Sequence, residues 1–342
     1  MTHARRRATS ADVAARAGVS RTTVSFVLNS RANAGISAET RERVLRAAAD
    51  LGYHVHGAAR ALAGGQSMTI GLVLLQTQDQ VASDALLAET LRGITEEARS
   101  DGYRVLVEPV EPGGRGYGDI LRSRRVDGLI VSGPRIDGGE LSGIVRDGFP
   151  VVLQGALPSL AVPSVDIDNR TGAAAAVGHL LGLGHERIGH ITNAPLDYTA
   201  AADRLEGYRD ALRASGIAVS DTLVAEGAFD ATSGHAAMLR LLQQAPDVTA
   251  VFVGSDVVAF GALRTLREAG RRVPDDVSVV GFDDAPLARY VDPPLTTMHL
   301  PARALGAAAG RALIDRLAGR PVIDRTLLPT ELVVRESTAA VS

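Results

Sequence analysis

Cysteine, tryptophan and lysine are all missing from the 342 residues. Without cysteine there is no disulfide, no thiolate zinc site and no cysteine nucleophile. Without lysine there is no Schiff-base chemistry and no Walker-type phosphate loop, which uses its lysine on the phosphates. All 36 basic residues are therefore arginine. Aromatic residues make up only 4%, so the core has to be built from Ala, Val, Leu and Ile. No apolar run approaches the ~20 residues that span a bilayer. The first residues, MTHARRRATSAD, have no apolar stretch after their arginines and do not read as a secretory signal. A cytoplasmic protein is expected, with no membrane partner. No Gly-x-Ser-x-Gly elbow occurs, and no nucleophile–base pair can be argued. The expectation is a protein that is not an enzyme, with no catalytic residues and no cofactor.

What is present is ordinary for a globular chain: 46% apolar and 22% charged residues. The length is enough for two or three domains. The net charge of −3 is unevenly spread. Residues 1–66 hold ten Arg against four acids, a net of +6; the remainder holds 26 Arg against 35 acids, a net of −9. A basic segment on an acidic body suggests a nucleic-acid-binding head and a separate soluble body.

The head carries helix punctuation. Thr9-Ser10-Ala11-Asp12 fits an N-cap with an acid three residues on. Gly18 suits the left-handed position that ends a helix, and Ser20 can cap the next one. Helix, short Gly turn, helix is the spacing of a helix-turn-helix. In the second helix, Arg21 to Asn29, the residues Val24, Val27 and Leu28 form an inner stripe. Arg21, Thr22, Ser25, Phe26 and Asn29 fall outside it. An Arg near the start of such a helix can grip a guanine edge with two hydrogen bonds, while Ser20, Thr23 and Asn29 can hold phosphates. A third helix, about Ala38 to Leu51, is capped by Ser37 and stopped by Gly52, with Val44, Ala47, Ala48 and Leu51 as its buried stripe.

The run ADVAARAGVSRTTVSFVLN followed by ISAETRERVLRAAADLGY resembles the headpiece of the LacI/GalR family of bacterial transcription regulators. The resemblance implies double-stranded DNA as partner, with a DNA-contacting set of Thr9, Ser20, Arg21, Thr22, Thr23, Ser25, Phe26, Asn29, Tyr53, Ala59 and Leu62. Within it Arg21, Thr22 and Phe26 match the base-reading positions. Phe26 stands where the family usually has Arg. It can pack on a thymine methyl, or fold back onto the head's own core. The loop Ser30–Ile36 is two residues longer than the family's usual spacing. Residues 53–67, YHVHGAARALAGGQS, match the hinge, which in the family becomes helical on operator DNA and inserts a Leu into the minor groove. That Leu is Leu62, beside Ala59 and Arg60. Val55-His56 replaces the family's common Pro-Asn.

From Met68 onward, about nine short β-branched runs, such as Thr69–Leu75, Gly128–Val131 and Val277–Phe282, alternate with Ala/Leu-rich helical stretches. Such alternation gives βαβ units in parallel sheets with helices on both faces, here in two lobes. Ligands in open α/β sheets bind beyond the carboxyl ends of the strands. The residues there include Gln76, Asp79, Ser132, Asp168, Asn169, Asn193, Phe229, Ser255, Asp256, Asp283 and Asp284. GHERIGHI, ADRLEGYRDAL, GSDVVAFGAL and VPDDVSVVGFDDAPLARYVDPPLTT extend the family resemblance through the body. They imply an all-α headpiece at 1–52, a hinge at 53–67, and a two-lobed periplasmic-binding-protein-like effector and dimerisation domain at 68–342. Lobe one is expected at about 68–163 and 298–328, and lobe two at 164–297 and 329–342.

The resemblance places Arg204 and Asp283 on effector hydroxyls and Phe229 stacked on the ligand. The candidate effector set is Gln76, Ser132, Asp168, Arg204, Phe229, Ser255 and Asp283. Ser255 replaces a common Asn, and the loop Gln76–Leu87 lacks the family's Asn-Pro-Phe. The metal reading is set aside: His185 and His190 are poorly spaced, and the adjacent acids Asp275-Asp276 and Asp283-Asp284 point apart. The resulting expectation is a homodimeric repressor on a pseudo-palindromic operator, controlled by a small molecule, most readily a sugar. The alternatives are a sugar-binding module of a transport system, or a regulator answering to a nucleoside or purine.

Overall fold

The computed structural model describes residues 8–28, 35–53, 66–111, 117, 118, 120, 125–138 and 140–341. The chain divides into two compact units, residues 1–69 with 123–127, and residues 70–122 with 128–342.

In the first unit, α1 (Ser10–Ala17), α2 (Arg21–Leu28) and α3 (Ala38–Asp50) form a small bundle. Thr9 is the N-cap of α1. Asp12 N donates to its hydroxyl at 3.4 Å, and Thr9 N donates back to the Asp12 carboxylate at 2.7 Å, so two orphan donors are satisfied together. Gly18 ends α1 at φ +66°, a conformation in which a side chain is strained. Ser20 starts α2 by accepting from Thr23 N at 3.0 Å. Val13, Ala14 and Ala17 of α1 meet Val24 and Val27 of α2 and Val44, Ala47 and Ala48 of α3 in one apolar cluster. Leu28 and Leu51 pack against it from part-buried positions. The small Ala side chains let three short helices approach closely.

The second unit contains two six-stranded sheets. The strands are β1 (Thr69–Leu74), β2 (Arg104–Pro109), β3 (Gly128–Ser132), β4 (Val151–Gln154), β5 (Ser164–Ile167), β6 (Ile188–Ile191), β7 (Val224–Ala225), β8 (Ala250–Val253), β9 (Ser278–Asp283), β10 (Thr296–His299), β11 (Arg325–Leu328) and β12 (Glu331–Val333). The first sheet runs β11-β5-β4-β3-β1-β2 and the second β12-β10-β9-β8-β6-β7. β3 pairs parallel with β1 and β4, and β5 with β4 and β11. The second sheet is parallel through β7, β6, β8, β9 and β10, with β12 antiparallel at its edge. The helices are α4 (Gln78–Ser83), α5 (Leu87–Ser100), α6 (Leu141–Arg146), α7 (Asn169–Gly182), α8 (Thr199–Ala214), α9 (Ala231–Gln244), α10 (Asp256–Glu268) and α11 (Ala302–Leu317). Their buried faces are largely Ala, Val and Leu, such as Ala173, Ala176, Val177 and Leu180 of α7.

The crossing points differ from the expected lobe boundaries. The sequence expectation puts residue 164 in lobe two, but β5 pairs with β4 and β11 and belongs to the first sheet. The chain crosses at Asp168, where the strand ends and α7 begins. The same expectation puts residue 298 in lobe one, yet β10 stays in the second sheet through His299. The return to lobe one comes with α11, which packs on α5. The short strands β10, β11 and β12 carry little hydrophobic alternation of their own, so twelve strands stand among the described residues where about nine are expected.

Among the described residues, no helix is long and apolar enough to cross a membrane.

Candidate functional site

In the head, Arg21 and Thr22 stand exposed at the start of α2, with Thr23, Ser25 and Phe26 half-buried along it. Thr9 and Ser20 are exposed capping residues. Each hydroxyl accepts from its helix, and the capping leaves the side chain fixed at a helix N-terminus, where partial positive charge favours a phosphate. The apolar cluster that joins the three helices is built from residues such as Val13, Val24 and Val44. Tyr53 behaves differently from the others: it packs against that cluster and its N–H donates to Ala48 O at 2.8 Å. Asn29, Ala59 and Leu62 lie outside the described residues, as do the hinge residues 54–65.

In the body, both sheets reverse strand order at a switch point, between β1 and β3 in the first and between β6 and β8 in the second. The loops leaving these strands cannot cover the gap, so a crevice opens there. A cavity of about 200 Å³ lies at these strand ends. Gln76, Ser132, Arg204, Phe229, Ser255 and Asp283 all line it. So do Gln80, Asp84, Gln154, Asp166, Asn169 and Asn193, which the candidate set omitted.

Arg204 is the centre of this arrangement. Gly207, one turn along α8, has room only for hydrogen: a Cβ there would sit 2.2 Å from Arg170 O. The close approach of α8 to α7 buries Arg204 at 5% exposure beside Asn169. Its Nε donates to Asn169 Oδ1 at 2.9 Å and its Nη1 to Gly254 O. Asp283 Oδ1 lies 3.6 Å from Nη1, and the guanidinium sits 3.7 Å over the Phe282 ring. The guanidinium is thus fixed in plane before any ligand arrives.

Asp283 is delivered by a strained turn. It has φ +116° and Asp284 φ +53°, conformations that cost a non-glycine residue about 1–3 kcal/mol each. The turn is held from below. Asp284 accepts from Arg335 Nη2 at 2.6 Å and pairs with His299 Nδ1 at 3.1 Å. Asp256, wholly buried, accepts from the Thr297 hydroxyl at 2.6 Å and from Ala285 N at 2.7 Å. Burial drives both Asp283 and Asp256 above the ordinary carboxylate range, opposed at Asp283 by Arg204 and the Ser255 hydroxyl.

Asp166 is pushed up to about 6, again by burial first, despite bonds from Ile167 N at 2.8 Å and Asn169 Nδ2 at 3.1 Å. Asp84 is raised by burial as well, although Leu86 N and Leu87 N both donate to it. Phe229, at φ +69°, donates its N–H to Asn193 O at 2.8 Å and meets the Tyr198 ring edge-on at 4.9 Å.

Asp168 does not reach this cavity. It caps α7, accepting from Thr171 N at 2.9 Å and from the Thr171 hydroxyl at 2.8 Å. At a strand-to-helix junction the unpaired N–H groups of the first turn capture the nearest carboxylate. Asp166 and Asn169, on either side, line the cavity instead. The strand-end rule that selected the other residues also reaches Gln154, the last residue of β4, and Asn193, just after β6. Asp84 and Gln80 carried no such signal, because their loop folds back over the cavity only in three dimensions. His190, set aside as a ligand, is fully buried between the rings of Tyr208 and Phe252, and burial lowers it to about 4.

The lobes meet along one side of the cavity. Ile136 N donates to Asp197 O at 2.8 Å and Thr199 N to Pro134 O at 3.2 Å. The Tyr198 hydroxyl donates to Leu75 O, and Gln80 Nε2 to Ala228 O at 3.4 Å. Arg135 pairs with Asp197.

Two family descriptions match the chain in order: "Bacterial regulatory proteins, lacI family" over residues 9–55 and "Periplasmic binding protein-like domain" over residues 177–338. The HTH-type transcriptional regulator CelR of Thermobifida fusca is 39% identical over 341 residues, covering 97% of this chain and 99% of its own. A solved CelR–cellobiose complex superposes with a TM-score of 0.74 at 37% identity, over 97% of this chain and 100% of that one. The Lac repressor dimer bound to operator and the anti-inducer ONPF gives a TM-score of 0.84 at 33% identity, over 98% and 100%. A capped three-helix head, a bilobal cavity at two switch points and identity along nearly the whole length agree: the chain belongs to the lacI family of bacterial regulatory proteins, DNA-binding transcriptional regulators with an effector-binding domain.

Proposed function

We propose that this chain is a repressor that binds a pseudo-palindromic operator as a homodimer and changes its operator affinity when a sugar occupies the cavity. The observation that carries the reading is the geometry at Arg204: an immobilised guanidinium, a carboxylate aimed by a strained turn and an aromatic face at Phe229 share one small enclosure. Charge-assisted bonds to adjacent hydroxyls, with an aromatic against the C–H side, are how a protein grips a sugar in water. Cellobiose in the related CelR complex supports a saccharide. The operator-bound Lac repressor dimer supports two heads placed in successive major grooves about one helical turn apart.

Arg21 and Thr22, exposed at the start of α2, are assigned the base edges. Phe26 is assigned a thymine methyl. Thr9, Ser20 and Thr23 are assigned phosphates, and Leu62 the minor-groove wedge. Gln76, Ser132, Asn169, Gln154 and Ser255 complete the effector wall. The protein acts in the cytoplasm, with its DNA, and catalyses no reaction. A transporter's binding module has no use for a basic helix-turn-helix head, which sets that alternative aside.

The test is a gel shift on the chain's own upstream region, with and without sugars and nucleosides, for the full chain and for a form without residues 1–66. The full chain is expected to prefer a palindrome, with affinity shifted by effector through a coupling of about 1–3 kcal/mol. The shortened form should lose the DNA and keep the effector. Full-length protein that prefers no palindrome over random duplex, under any ligand, would overturn the reading.

A further inference from the structure

The cavity wall is one-sided in charge and in hydrogen-bonding capacity. Arg204 is the one cation among the described residues that line it, against three carboxylates, Asp84, Asp166 and Asp283. Two of the five N–H donors of the guanidinium are already committed, to Asn169 Oδ1 and to Gly254 O. The carboxamide oxygens of Gln76, Gln154 and Asn193, all on this wall, are buried with no donor. Gln80, the remaining amide of the first-strand loop, spends its N–H on Ala228 O.

Buried carboxylates are normally paired, and buried acceptors normally receive a proton donor. Here the three negative charges exceed the single positive one by two when all four groups are ionised. The upward displacement of Asp84, Asp166 and Asp283 is what uncompensated burial produces. A neutral sugar would satisfy the acceptors through its hydroxyls and leave the charge excess in place. A phosphate or carboxylate on the ligand would enlarge it.

We infer that the effector is a sugar bearing a protonated amine, with the ammonium group received among Asp84, Asp166 and Asp283. The inference rests on the reading of the cavity as a saccharide site and adds the charge of its ligand. An ammonium brings three N–H donors and one positive charge into an enclosure that supplies carboxylate and carboxamide oxygens. Anionic sugars are excluded by the same groups.

The experiment uses the full chain and matched probes: glucose with glucosamine, galactose with galactosamine, mannose with mannosamine, cellobiose with the β-1,4-linked glucosamine disaccharide, and glucose 6-phosphate and glucuronate as anions. Affinities are read by titration calorimetry at pH 7. For the skeleton that binds, the amino form should bind at least tenfold more tightly than its hydroxyl parent, and the anions more weakly than the parent. Asp166→Asn should reduce the amine preference severalfold. Its unliganded melting curve and operator binding report whether it has folded. A hydroxyl parent that binds as tightly as its amine, or an anion that binds more tightly than either, overturns the inference and leaves the saccharide reading standing. A panel in which no sugar binds overturns both.

Discussion

Arg204 concentrates the electrostatics of the body in one side chain. It is buried over Phe282, bonded to Asn169 and Gly254, and adjacent to Asp283. Removing one member of a buried charged set leaves the others unpaired at a cost of about 3–5 kcal/mol. Arg204→Met is therefore expected to lower the denaturant midpoint and to abolish any ligand-dependent rise in melting temperature. Adding Asp166→Asn to it should recover part of the loss, because one fewer carboxylate is stranded. A gain no larger than Asp166→Asn gives in the parent would show that the two groups do not interact.

Asp166 alone has a pH signature. Its carboxyl is raised in the folded state to about 6 from an ordinary value of 3.8. The folded chain therefore holds a proton that the unfolded chain has released between those values, and stability falls as pH rises through that window. Asp166→Asn should be more stable than the parent at pH 7.5, by on the order of 1–3 kcal/mol, and nearly equal to it at pH 4. A constant difference across both pH values would rule out burial of the charge as the cause. Cap chemistry such as Thr9 with Asp12 was legible along the chain, since both partners lie three residues apart. The charge environment of Asp166 was not, because Arg204 and Asp203 reach it only through the fold.

Close helix approach decides what the elements can present. Gly207 places α8 against α7, and a Cβ there meets the Arg170 carbonyl at 2.2 Å. Gly207→Ala must push the helices apart. Overpacking of this kind costs about 1–3 kcal/mol, and the effector affinity should fall with it, because Arg204 sits one turn away. In the head, Thr9→Ala removes the acceptor of the α1 capping box at a cost of about 1 kcal/mol. This should appear as a lower melting temperature of the head, measured on the intact chain, with weaker operator binding. The head helices were readable because caps, Gly18 and the 3.6-residue apolar stripe all act locally. The short strands β10, β11 and β12 were not, since pairing with a distant neighbour is what makes them strands.

The two lobes of the body are tied beside the cavity by Tyr198, whose hydroxyl donates to Leu75 O while its ring backs Phe229. Tyr198→Phe keeps the ring and removes the tie. It should weaken effector binding severalfold and cost about 1 kcal/mol of stability, with operator binding in the absence of effector retained. Calorimetric titration and a gel shift on the same preparation check both halves. An unchanged effector affinity would mean that this hydrogen bond plays no part in holding the cavity closed.

Local chemistry in the amino-acid order was enough to determine the helix-turn-helix head, the alternation of strands and helices, and the polar strand ends where a ligand would sit. Caps, turns and hydrophobic periods act over a few residues and are visible in one dimension. The lobe crossings at Asp168 and after His299, the capture of Asp168 by its own helix, and the recruitment of Asp84 and Gln80 to the cavity were decided by the tertiary structure. Those outcomes depend on which backbone donors and which distant charges compete for each side chain, and that competition exists only once the sheets have formed.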